Sequence, residues 1–129
     1  MSRAHMRRIA TRIRAFFPAA IRRTLPREVG VFEITLSESL RLNRHYRKKR
    51  KPANVLSFRY SERYGEILVC PEVIRREARV MGHSYDIHMT WMIVHGMLHV
   101  AGVHHEKSRV AAERTDRLEK RTLKQLMVH

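Results

Sequence analysis

His95-Gly-Met-Leu-His-Val-Ala-Gly-Val-His-His105 is the stretch from which the rest of the chain is best read. Residues four apart on a helix lie about one turn apart on one face, so His95 and His99 can grip a single ion from one side. Gly102 is the residue best able to leave a helix through a left-handed conformation, which lets the chain turn back and deliver His104 or His105 to the same point. Three neutral imidazoles with an open position make a catalytic zinc-type site, whereas a structural site usually takes four protein ligands, often cysteines. The only cysteine, Cys70, is distant in sequence. The plain alternative is a buried helix whose histidines merely hydrogen-bond. Against it, four of the nine histidines fall within these eleven residues, and a glycine separates the second and third candidate ligands.

The residues around this stretch are those of a buried helix. Ser84 or Asp86 can cap it, and it is expected over residues 87–100. Ile87, Trp91, Val94 and Leu98 form one stripe while Met92, Ile93, Met97 and Val100 cover much of the rest, and a helix apolar nearly all round is a buried one. After the site, Ser108 opens a charged amphipathic helix to about Met127, with Val110, Ala111, Leu118 and Leu126 as its inward residues.

Upstream, residues 29–36 read as a strand, and Ser37 is expected to cap a helix running to about Tyr46. Residues 54–60 and 65–69 read as strands joined by a turn, a hairpin. Pro71 begins a further helix that Gly82 is placed to stop. These elements predict an α+β domain spanning 1–129. It should hold a small mixed sheet of three or four strands, packed with four to five helices, one of them the central buried helix that carries the metal-binding histidines.

Charge narrows the partner. Lys and Arg number 27 against 12 acids, a formal +15, which points to a polyanion: nucleic acid or an acidic membrane surface. Residues 1–27 hold eight arginines and no acid, with Ile9, Ile13 and Phe16 at helical spacing and Pro18 to end or kink the helix. This segment reads as a surface helix packing one apolar stripe on the core of residues 28–129. An RNA-gripping arm and an organelle transit peptide are the other readings, the last disfavoured by scarce serines. Residues 41–51 hold seven more basic residues and no acid. One cysteine excludes an internal disulfide framework and suits a reducing cytosol, and no apolar run reaches the roughly 20 residues of a membrane helix.

The histidine stretch, His-Gly-x-Leu-His-x-x-Gly-x-x-His, resembles the signature of the YbeY family, bacterial single-strand-specific endoribonucleases that mature ribosomal RNA. Leu42-Asn43, Tyr46-Arg47, Asn54-Val-Leu-Ser-Phe58 and Gly65-Glu-Ile67 resemble further family blocks in order and spacing. The resemblance implies that His95, His99 and His105 bind one Zn²⁺ per chain (or another divalent transition metal) and that Arg47 is needed for activity. It implies a cytoplasmic enzyme that trims the 3′ end of small-subunit (16S) rRNA in ribosome biogenesis and quality control. Its partners would be precursor rRNA, the small subunit, and ribosomal proteins or assembly factors, with no membrane. The attacking group would be a metal-bound water or a substrate hydroxyl. Three departures stand out. His104 replaces an Asp and becomes a spare ligand, a proton shuttle or a ligand's hydrogen-bonding partner. Lys48, Lys49 and Arg50 replace Gly-Lys-Asp, and Ala53 and Arg59 replace Thr and Pro. The family also has a strand before its first helix, expected here to be missing or supplied differently.

The residues themselves constrain the chemistry. Zinc peptidases of the His-Glu-x-x-His type use a glutamate directly after the first histidine as general base, and here that position is Gly96. Glycine carries no proton, so peptide hydrolysis is disfavoured. A phosphodiester would meet a cation, Arg47 and the run Lys48, Lys49, Arg50 and Lys51, so electrostatics favour RNA or DNA. Arg47 is expected to clamp a phosphate. Ser57 reads as a packed strand hydroxyl or a contact to the site. The competing expectation is a non-catalytic RNA-binding ribosome-assembly factor with a structural metal.

Overall fold

A computed structural model describes residues 1–103 and 108–128. The elements run α1 (Arg3–Phe16), α2 (Ala19–Arg22), β1 (Glu28–Glu33), α3 (Leu36–Arg47), β2 (Val55–Arg59), β3 (Tyr64–Val69), α4 (Pro71–Met81), α5 (Tyr85–Val100) and α6 (Arg109–Val128). The α+β class is as expected. The helices number six among the described residues rather than four to five, the addition being the single turn α2 after Pro18.

The three strands are ordered β1-β3-β2, with β1 parallel to β3 and β2 antiparallel to it. β2 and β3 are the expected hairpin, in the register Val55↔Val69 to Arg59↔Gly65. β2 therefore lies at one edge of this sheet.

α5 packs on β2 and β3 and is flanked by α1, α4 and α6. Its Met89, Ile93, Val94 and Leu98 are completely buried, each worth about 1.5–3 kcal/mol relative to exposure. Ile87 and Trp91, expected in the same stripe, are only partly buried. α1 buries Ile9 and Ile13 of the expected stripe together with Met6 and Ala10, while Phe16 is only partly buried. Its arginines are not merely solvated: Arg12 donates to the Leu126 carbonyl at 3.1 Å and Arg14 to the Pro26 carbonyl at 2.7 Å.

Two local expectations need correcting. Thr35, not Ser37, caps α3. Its hydroxyl accepts from the Glu38 amide at 3.1 Å while the Glu38 carboxylate accepts from the Thr35 amide, a reciprocal box that Ser37 lacks. On α6, Leu126 is buried as expected and Ala111 and Leu118 are partly buried, but Val110 is 57% exposed, and Thr115, Glu119 and Thr122 are buried as well. They recur at helical spacing, so the inward face is a largely polar stripe.

Candidate metal and phosphate site

Helix α5 is fixed at both ends by its own sequence. The Ser84 hydroxyl caps the start by accepting from the Ile87 amide at 3.1 Å. At the other end Gly102 has φ +91°, and two hydrogen bonds close the last turn, Val103 N–H to the Leu98 carbonyl and Gly102 N–H to the His99 carbonyl, each 2.9 Å. Arg59 adds a donor to the Val100 carbonyl at 2.9 Å, so this departure from the family pattern ties β2 to the end of α5.

His95 and His99 stand side by side, with ring centroids 4.3 Å apart and planes inclined by 40°. The Nδ1 of His95 is hydrogen-bonded to Glu119 Oε1, and the other carboxylate oxygen accepts from Trp91 Nε1 at 3.1 Å. Glu119 is 4% exposed and reaches the site from α6. A carboxylate accepts, so Nδ1 is the donor of this pair and Nε2 is the His95 nitrogen left to face a cation. Sequence reasoning missed Glu119. The signal was its place at helical spacing from Thr115, Thr122 and Leu126, but a search for apolar inward residues passes over it.

Gly96 sits where the helix meets the sheet. A Cβ there would stand 2.8 Å from Ile67 Cγ2 and 3.2 Å from Ser57 Oγ. Ser57 donates to the Gly96 carbonyl at 3.1 Å. Both residues therefore serve close helix–sheet contact, and Ser57 also lines the pocket described next.

That pocket has a volume of about 350 Å³, and His95, His99, Arg47, Tyr46, Asn54 and Ser57 are among the residues lining it. Arg47 comes from the last turn of α3, where Lys48 turns the chain at φ 58°. The loop beyond is held by two buried polar residues of α3. Asn43 donates to the Lys51 carbonyl at 2.7 Å, and the Ser39 hydroxyl donates to the Ala53 carbonyl at 2.6 Å while accepting from the Ala53 amide at 2.8 Å. The Leu42-Asn43…Tyr46-Arg47 block is thus a clamp followed one turn later by the cation it positions. A second cavity, lined in part by Arg47, Lys49, Lys51, Asn54 and Arg76, adjoins the first through Arg47 and Asn54. Lys48 and Arg50 are exposed and line neither.

Among the described residues, no three His, Cys, Asp or Glu side chains are grouped to hold a metal ion. The expected third ligand His105 and its neighbour His104 lie outside the described residues. His88 is engaged elsewhere, beside Glu77 (Nε2 to Oε1, 3.2 Å) and His83. No helix among the described residues is long and apolar enough to cross a membrane.

A small α+β domain that sets two adjacent imidazoles and an arginine in the lining of one pocket, beside a basic groove, has the features of a hydrolase for an anionic substrate. The family model Endoribonuclease YbeY matches residues 1–127, and the chain belongs to that family of endoribonucleases. It is 33% identical over 132 residues to Endoribonuclease YbeY of Chelativorans sp. (strain BNC1), covering 90% of this chain and 80% of that protein. It is 42% identical over 99 residues to that of Aromatoleum aromaticum, covering 74% of this chain and 64% of that protein. The solution structure of TM1509 from Thermotoga maritima shares the fold, with a TM-score of 0.58 at 24% identity, covering 90% of this chain and 79% of that one.

Proposed function

We propose that this chain is a zinc-dependent, single-strand-specific endoribonuclease of the cytoplasm, acting on precursor rRNA at the 3′ end of the small-subunit (16S) RNA with ribosomal proteins or assembly factors as partners. The observation that carries this reading is that His95, His99 and Arg47 line one pocket. The donor chemistry fits a zinc-class ion: two imidazoles on one helix face, the first oriented by a carboxylate, with His105 as third ligand. When bound, zinc supplies Lewis acidity and a means of ionising water near neutral pH.

The remaining work falls to the chain's own groups. Arg47 grips a non-bridging oxygen of the scissile phosphate and offsets charge as it develops. Lys49 and Lys51, joined by Arg76, hold neighbouring phosphates along the adjoining cavity. Asn54 is fixed by accepting from the Val55 amide at 2.7 Å and donating to Glu77 at 3.0 Å, which keeps the strand edge in place beside the substrate.

The test is incubation of the purified protein with a structured precursor RNA, with and without chelator. Cleavage should stop in chelator and fall about 100-fold or more in Arg47→Ala. Cleavage indifferent to both changes would remove the reading. An Arg47→Ala variant that binds RNA less well, in a protein that never cuts, would favour the assembly-factor alternative.

A further inference from the structure

Alternation along β2 sends Ser57 and Arg59 toward α5 and Phe58 to the opposite face of the sheet, and Tyr60, just past the strand, joins Phe58 there by its bond to Glu66 of β3. That face carries a line of rings that begins in the pocket. Tyr46 and Phe58 line the pocket itself, with centroids 5.0 Å apart. Phe58 and Tyr60 follow at 6.5 Å with planes 22° apart, then Tyr60 and Tyr64 at 5.9 Å and 12°. Tyr46 is 58% and Tyr60 62% exposed. Single exposed aromatics are ordinary, but a contiguous row leading out of a site is not.

The rings are also held in place. Glu66 accepts from both the Tyr60 and the Tyr64 hydroxyl at 2.8 Å, so the phenols are oriented before any ligand arrives and less entropy is lost on binding. The same pocket opens on the basic groove of Arg47, Lys49, Lys51 and Arg76. Cations that track phosphates beside flat rings that take bases are the two parts of a single-strand binding surface. A duplex keeps its base faces in the stack and cannot use such a strip.

We infer that the strip Tyr46–Phe58–Tyr60–Tyr64 stacks the bases of single-stranded RNA as the strand leaves the pocket, and so supplies the single-strand preference. This rests on the nuclease reading for its choice of ligand. The test is equilibrium binding, in chelator so that no cleavage intervenes, of a short labelled single-stranded RNA and of a duplex of the same sequence. Tyr60→Ala should weaken single-strand binding about tenfold and leave duplex binding unchanged. Tyr60→Phe, which keeps the ring and loses the bond to Glu66 that orients it, should weaken single-strand binding by less than Tyr60→Ala does. Equal single-strand affinity for Tyr60→Ala and the unaltered chain would overturn the strip. So would a loss shared equally by the duplex. Where the unaltered chain still cleaves RNA in its metal-loaded form, either result sinks the strip alone, whereas a chain that neither binds nor cleaves RNA sinks both.

Discussion

Gly96→Ala sets two effects of opposite sign against each other. Helix propensity alone favours alanine in a helix interior by about 1 kcal/mol, so an isolated α5 would gain stability. In the fold the added methyl meets Ile67 Cγ2 at 2.8 Å and Ser57 Oγ at 3.2 Å. Ile67 is completely buried, and its Cγ2 is a branch at Cβ that no distal torsion moves aside. Overpacking of this kind costs about 1–3 kcal/mol. Displacing Ser57 from the Gly96 carbonyl removes a hydrogen bond worth about 1 kcal/mol more. The net expectation is a loss of about 1–3 kcal/mol, a fall in Tm of about 4–11 °C for a chain of 129 residues. Thermal unfolding followed by circular dichroism measures it. A Tm that rises would show that propensity decides and that α5 does not need its close seat on β2 and β3. The same displacement would shift His95 and His99 relative to the β2 residues that line their pocket, so activity should fall by more than the lost stability explains.

Two further outcomes follow from buried or partly buried polar groups. Glu119→Ala should weaken zinc binding about 10- to 100-fold, because the Nδ1 of His95 loses the carboxylate that orients it; titration calorimetry reads this, and unchanged affinity would deny Glu119 that role. The phenol of Tyr64 is pushed up to about 12 by partial burial and by its hydrogen bond to Glu66. Its folded value lies above its unfolded one, so its contribution to stability is whole below about pH 10 and is lost as pH rises through the folded value. A tyrosinate absorbance titration of the native protein should show this late ionisation, and Glu66→Gln should bring it earlier.

Much of this architecture was legible because its signals are local. Ser84, Gly82 and Gly102 mark helix ends by side-chain and backbone chemistry that needs no distant partner, and the hairpin strands sit close in sequence. The parallel pairing of β1 with β3 joins residues 36 apart, Glu28 with Tyr64, and no periodicity reports it. The cap at Thr35 was hidden by a nearby serine that looks equally suitable until the carboxylate three residues beyond Thr35 is weighed. Most instructive is α6. Its apolar spacing predicts Val110, Ala111, Leu118 and Leu126 as the inward face; Leu126 is buried, but Thr115, Glu119 and Thr122 are buried with it, and Glu119 is there as the hydrogen-bond acceptor for His95 and Trp91. Of the candidate site, His95, His99 and Arg47 were read from spacing and resemblance and do line one pocket. The groove residue Arg76, on a different helix, was not read.

Metal content of the untagged protein, beside its His95→Ala, His99→Ala and His105→Ala variants, tests the core of this reading most directly. The expected result is about one zinc per chain that is lost in each variant. A metal-free protein, or one whose zinc survives His99→Ala, would contradict it.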